Sequence, residues 1–109
     1  MQRIALITIG LVAAAVYTPA HAAKMNVVGT TTMVTDMVRE IGGDRVNVVG
    51  LMGPGVDPHL YKPASGDVVK LQRAKIIFYS GLMLEGRMTD LFFRMARAGK
   101  LVYAVTESI

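Results

Sequence analysis

Short apolar runs alternate with segments of helical periodicity over residues 25–105, and this alternation constrains the fold more than any other feature of the chain. The runs predict four strands, at residues 25–29, 46–51, 75–81 and 101–105. Strands separated by helices with short connections pair in parallel through right-handed crossovers. The sequence therefore predicts an α/β fold, a four-stranded parallel sheet with flanking helices.

Three helices are predicted between the strands. The hydroxyls of residues 30–32, all threonine, can cap the first helix, which ends at Gly42 and Gly43. Ser65 or Asp67 can cap a short second helix. The third helix, an amphipathic one, is predicted from residue 84 to a stop at Gly99.

Methionine is frequent in these helices, and we interpret it as a core residue. Met33, Met37, Met88 and Met95 fall on the predicted apolar stripes. Flexible methionine side chains fill gaps in hydrophobic cores, and this reading is preferred over a soft-metal site.

The N-terminus has the pattern of a secretory signal peptide. Arg3 precedes an uncharged apolar run over residues 4–16, and Pro19 and small residues follow. The run is shorter than the roughly 20 residues that span a bilayer. We expect residues 1–22 to be a signal peptide cleaved after about Ala22, residues 23–109 to form the mature part, and the protein to reach a bacterial periplasm.

Composition excludes several classes of site. The chain has no cysteine, so disulfides, thiolate metal sites and thiol catalysis are excluded, and a lipid anchor on cysteine is not expected. The net charge is only +4, and no basic run is interleaved with aromatic residues. Nucleic-acid binding is therefore not predicted.

The most distinctive loop, "LMGPGVDPHLYKPAS", follows the second strand and carries Asp57, His59 and Tyr61. Ligand groups in α/β sheets gather in loops beyond the carboxyl ends of strands. Imidazole is a common metal ligand, and the three prolines restrict the loop. His59 is thus a candidate ligand and Asp57 a candidate to orient its ring. An exposed or merely hydrogen-bonded histidine is the alternative that spacing alone leaves open.

Other sites have less support. The loop lacks the glycine patterns of phosphate-binding loops, and no Ser/His/Asp arrangement is recognisable. Glu85 follows the third strand, where it could supply an oxygen ligand or bond to His59. A carboxylate at a helix start, favoured by the helix dipole, is the alternative for this residue.

The amino-acid sequence of this region closely resembles that of the N-terminal lobe of the zinc/manganese ABC-transporter solute-binding proteins. The most specific parts are "GVDPHLY" and "GDVVKLQRAKIIFYSGLMLEG", and the resemblance covers the whole predicted mature chain. Two departures are Ser80 and Met83, where relatives commonly have Asn and His. Neither position is generally a primary ligand in that family.

The resemblance implies a receptor of two α/β lobes that binds Mn²⁺ or Zn²⁺ between them. Such a receptor delivers the metal to an ABC permease in the inner membrane and is not an enzyme. It implies that His59 is the first metal ligand and that the chain is an incomplete N-terminal lobe. The family's other ligands, a histidine, a histidine or glutamate, and an aspartate, have no counterpart within 109 residues.

From these points we expect the N-terminal portion of a metal receptor, in truncated form, which binds metal only weakly by itself. A small exported α/β module that acts through protein contacts, without tight metal binding, is the first alternative. A metal-dependent hydrolase is the second, but it needs several ligands and a general base.

Overall fold

The computed structural model describes Gly10 and residues 23–108, and residues 25–104 alternate strands and helices as predicted. Seven main elements follow in chain order: β1 (Met25–Gly29), α1 (Thr32–Gly42), β2 (Val46–Gly50), α2 (Ser65–Arg73), β3 (Ile76–Tyr79), α3 (Thr89–Arg97) and β4 (Leu101–Ala104). Short 3₁₀ turns at Gly43–Arg45 and Gly86–Met88 precede β2 and α3. The predicted signal peptide, apart from Gly10, lies outside the described residues.

The four strands form one parallel sheet in the order β2-β1-β3-β4. In the register, Gly29 at the end of β1 lies opposite Gly50 of β2 and Phe78 of β3. The carboxyl ends of these three strands therefore meet at one edge of the sheet. This confirms the predicted fold class.

One face of the sheet is closed by α2 and α3. Leu71, Ile77, Met88 and Phe92 are fully buried there, beside Val28. Each such side chain contributes about 1.5–3 kcal/mol through removal from water. This packing is the main hydrophobic core, and it fixes the third βα loop against the sheet.

The opposite face is only partly covered, by α1. Val34 is buried against the sheet, but an apolar groove remains between α1 and the strands, lined in part by Met37, Ile41 and Phe78. Met33 and Met37 are 65% and 47% exposed, so the prediction that they occupy the core is wrong. Helical spacing identifies neighbours on a face, but here the sheet contacts only a narrow stripe of that face.

Met88 and Met95 behave differently, because α3 packs on the closed face. Met88 is fully buried and Met95 packs partly buried against the core, as predicted. The α3 boundary differs from the prediction, since residues 82–88 form turns and the helix begins at Thr89. Gly99, with φ of 95°, ends this segment.

The cap of the first helix follows the prediction, and the cap of the second helix differs from it. Thr31 is the N-cap of α1, and its hydroxyl accepts a hydrogen bond from the Val34 amide at 3.3 Å. In α2 the N-cap is Ala64, so neither Ser65 nor Asp67 occupies that position. Asp67 instead accepts from the Ala64 amide at 2.9 Å, which is the reverse half of a capping box.

Among the residues that the structure describes, no helix has the length and apolar character needed to cross a membrane.

Candidate metal site

Three loops start side by side at the carboxyl edge of the sheet, after β1, β2 and β3. Backbone hydrogen bonds join the strand ends and the residues that follow them: the Thr30 amide donates to Phe78 O at 3.1 Å, and the Met52 amide donates to Thr30 O at 3.0 Å. β1 and β3 are neighbours, and their following helices pack on opposite faces. In doubly wound sheets such a switch point opens the crevice in which ligands bind.

The loop after β2 reaches furthest into solvent. Gly55 adopts φ of 78°, and the Leu60 amide donates to Asp57 O at 3.2 Å, which closes a turn around Pro58. Residues 53–57 are all exposed. The loop therefore presents its side chains to solvent with little packing against the core.

His59 and Asp57 are hydrogen-bonded to each other twice. Asp57 Oδ1 accepts from the His59 backbone amide at 2.9 Å and lies 3.1 Å from Nδ1 of the ring. The pKa of Asp57 lies below its usual value of 3.8 because of these hydrogen bonds. The bond from the His59 backbone amide is the larger cause, and the contact with the His59 ring is the second. The carboxylate can only accept, so Nδ1 carries the proton, and in neutral imidazole the Nε2 lone pair is free to bind a metal.

The contact with Nδ1 is the one that an orienting role for Asp57 requires. Pro58 does not keep the two residues apart, because the Asp57 side chain folds back onto the His59 amide. The His59 side chain is 60% exposed, so a metal ion could reach the ring.

Tyr61 anchors the end of the same loop to the body of the domain. Its hydroxyl lies 3.3 Å from Leu51 O and hydrogen-bonds to the carboxylate of Asp67. The pKa of Tyr61 is raised to about 12, mainly because the hydroxyl is partly removed from water and secondly because it is hydrogen-bonded to Asp67. Tyr61 therefore has a structural role, and the loop is tied to α2 two residues after His59.

Glu85 is fully buried beneath the edge of the sheet. Its carboxylate accepts from the Thr30 hydroxyl at 2.8 Å, from the Ser80 amide, and from the Gly81 amide at 3.2 Å. Glu85 does stand at a helix start, as the N-cap of the 3₁₀ turn Gly86–Met88, but its side chain makes no capping bond there. Its carboxylate instead joins the end of β1 to the loop after β3, and it has no hydrogen bond to His59.

The described residues contain no group of three His, Cys, Asp or Glu side chains that could hold a metal ion together. Within the part of the chain that the structure describes, His59 is the histidine at this edge, and its side chain is 60% exposed. The role of Asp67, missed from the sequence, could have been found from its position three residues after Ala64, where capping-box acids occur.

The sequence model of the family ZnuA, zinc-uptake complex component A, periplasmic, matches residues 27–109. The chain belongs to this family. The match covers the sheet from Val27 onward, all three helices and the His59 loop, and it confirms the resemblance found in the sequence.

Individual relatives agree with the family assignment. The manganese-binding lipoprotein MntA of Bacillus subtilis is 46% identical over 86 residues, which are 79% of this chain and 28% of MntA. The zinc-binding protein TroA of Treponema pallidum is 48% identical over 86 residues, again 79% of this chain and 28% of TroA. The manganese ABC transporter substrate-binding lipoprotein scaA of Streptococcus gordonii is 34% identical over 97 residues, 84% of this chain and 31% of scaA.

A solved structure shows the same fold. The periplasmic zinc binding protein TroA from Treponema pallidum superposes with a TM-score of 0.73 at 48% identity, over 79% of this chain and 31% of that structure. The chain thus spans about three tenths of the length of the relatives that it matches.

Proposed function

We propose that the protein acts as a solute-binding component of an ABC importer for Mn²⁺ or Zn²⁺, with His59 as a metal ligand. The observation that carries the proposal is the position of His59. Its ring is exposed at the carboxyl edge beside the β1/β3 switch point, and Asp57 occupies Nδ1 so that Nε2 is left for a metal. Membership of a family of periplasmic zinc-uptake components supports it.

One imidazole does not make a strong metal site. Zinc sites use three or four protein ligands, and manganese takes more oxygen ligands. The relatives are about three and a half times as long as the matched region. We infer that the remaining ligands of a complete site come from sequence that corresponds to the rest of those proteins, and that residues 23–109 alone bind metal weakly.

The remaining parts of the proposal follow from the same assignment. The protein would be exported with a signal peptide cleaved after about Ala22, would reside in the periplasm, and would deliver metal to an inner-membrane permease. It would carry out no catalysis. The name of scaA, an ABC transporter substrate-binding lipoprotein, supports the permease as partner.

The direct experiment is a titration of the purified protein with ZnCl₂ and with MnCl₂. Binding of Zn²⁺ is followed by shifts of the ring and backbone resonances in NMR spectra, and binding of Mn²⁺ by paramagnetic broadening. We expect weak binding centred on His59 and its neighbours, and no such effect in His59→Ala. Cleavage after Ala22 would remove His21, so His59 would be the one histidine of the mature protein and its ring resonances would be assigned directly.

Three results would overturn the proposal or one of its details. If Zn²⁺ and Mn²⁺ perturb His59→Ala as strongly as the parent protein, His59 is not a ligand. If neither metal perturbs the parent at millimolar concentration, the alternative of a protein-interaction module without metal binding is favoured. Sub-micromolar 1:1 binding by the monomer would instead show that this chain already holds a complete site.

A further inference from the structure

The backbone of His59 rests directly on a glycine in the turn after β3. A Cβ atom built on Gly86 would lie 2.7 Å from His59 O and 3.3 Å from His59 Cα. Cβ atoms essentially never approach other heavy atoms as closely as the first of these distances. Only glycine therefore allows the observed approach of the two backbones.

The conformation of Gly86 points in the same direction. Its φ is 36°, a region that residues with a side chain rarely adopt. Gly86 thus meets two separate demands, a left-handed backbone and close contact with the residue that carries the proposed ligand.

Hydrogen bonds from its own residues and from the neighbouring sheet edge fix the turn that contains Gly86. The carboxylate of Glu85 is fixed by the hydroxyl of Thr30, directly after β1, and by two amide donors in the loop after β3. Within the turn, the Gly86 amide donates to Met83 O at 3.0 Å and the Met88 amide donates to Glu85 O at 2.8 Å. Gly86 is therefore held in a fixed position relative to the sheet.

The loop that carries His59 needs such a support. The His59 side chain is mostly exposed, and the nearest side-chain anchor that we find is Tyr61, two residues further along. Asp57 sets the rotation of the ring but belongs to the same exposed loop. Contact with Gly86 is what relates the position of His59 to the sheet edge.

We propose that Gly86 is a positioning residue for His59, and that the Glu85–Gly86 turn fixes where the imidazole stands relative to the β1/β3 crevice. This inference rests on the proposed role of His59 as a metal ligand. Any side chain at position 86 displaces the His59 backbone, and with it the ring nitrogen that faces the metal.

The test compares Gly86→Ala with Gly99→Ala in the purified protein, with ZnCl₂ as the probe. Gly99 also has a positive φ, of 95°, but a Cβ there meets no atom within 4 Å, and it lies in the turn after α3. Both variants introduce backbone strain, and only the first adds a contact with His59. We expect Gly86→Ala to weaken Zn²⁺ binding about tenfold, as changes beside metal ligands commonly do, and Gly99→Ala to leave it unchanged.

The amide resonances of Asp57, His59 and Leu60 should also shift in Gly86→Ala and not in Gly99→Ala. This readout separates positioning from a general loss of stability, because it reports on the folded protein. Equal Zn²⁺ affinity and equal resonance positions in the two variants would overturn the proposal.

A measurement on the unmodified protein covers the case in which Gly86→Ala does not fold. The contact predicts a nuclear Overhauser cross-peak between the α-protons of Gly86 and His59, and its absence would contradict the inference. His59→Ala keeps the two proposals apart. Loss of binding in His59→Ala with full binding in Gly86→Ala rejects the role of Gly86 alone, whereas unchanged binding in His59→Ala rejects the metal site itself.

Discussion

Two loops at the same edge of the sheet are built in opposite ways. The loop after β2 is exposed, carries His59, and has Tyr61 as its main side-chain anchor. The turn after β3 surrounds a fully buried Glu85, whose carboxylate receives donors from two strands' ends. The two loops therefore have different roles. The loop after β2 exposes the imidazole of His59 to solvent, and the turn after β3 holds a fixed backbone beside it.

The turn also stores strain that the exposed loop does not. Leu82 and Met83 both have positive φ, of 51° and 63°, although neither is glycine. Such conformations cost about 1–3 kcal/mol each and persist when the surroundings hold them in place. The buried carboxylate of Glu85 is the group that does so here, since it binds the amides of Ser80 and Gly81 directly before them.

The largest effect is therefore expected for Glu85→Ala. The substitution leaves the Thr30 hydroxyl and two backbone amides without their acceptor in a buried position, and we expect a loss of about 3 kcal/mol or more in the free energy of unfolding. Urea unfolding followed by circular dichroism measures it. Glu40→Ala, an exposed change on α1, is the matched control and should leave the midpoint in place.

Glu85→Gln sharpens this prediction. Glutamine keeps one acceptor oxygen but places a donor group opposite the Gly81 amide, so we expect a loss between those of the control and of Glu85→Ala. A midpoint for Glu85→Ala equal to that of Glu40→Ala would show that the carboxylate does not hold the turn.

A smaller effect is expected for Tyr61→Phe, which removes the hydroxyl that ties the exposed loop to Asp67 and Leu51. The ring stays in place, so the loss should be about 1 kcal/mol, the net value of one hydrogen bond. Tyr103→Phe, on the exposed side of β4, is the control. A stability loss for Tyr61→Phe no larger than that of Tyr103→Phe would mean that the loop has another anchor.

The same residue predicts a dependence on alkaline pH. Because the pKa of Tyr61 in the folded protein is raised to about 12 from 10, the unfolded chain releases this proton first as pH rises. The stabilising contribution of Tyr61 is thus complete below pH 10 and is lost between pH 10 and 12. Urea midpoints across this range should fall more steeply for the parent protein than for Tyr61→Phe, and parallel curves would contradict the assignment.

The smallest effect on stability is expected for Asp57→Ala, because the side chain is 55% exposed and its hydrogen bonds stay within the exposed loop. The urea midpoint should not change, but Zn²⁺ binding should weaken about tenfold once the ring loses its orienting carboxylate. Asp44→Ala, in the 3₁₀ turn before β2, is the control. If Asp57→Ala lowered stability and left Zn²⁺ binding intact, the contrast between the two loops would be reversed.

Local features of the molecule followed from the sequence. The β1 strand, the Thr31 cap and the stop at Gly43 depend on residues within a few positions of each other, and all three were predicted correctly. The pairing of Asp57 with His59 is local in the same sense. A two-residue separation lets a carboxylate fold back onto the amide whatever the rest of the chain does.

The tertiary structure decided what depends on distant partners. Glu85 is bonded to Thr30, 55 residues away, and no spacing within the chain indicates that hydrogen bond. Met33 and Met37 carry the apolar periodicity of core residues, yet periodicity cannot state how much of a helix the sheet covers. The contact of Gly86 with His59 is of the same kind, because the approach of two backbones depends on how two loops pack and leaves no pattern in the sequence.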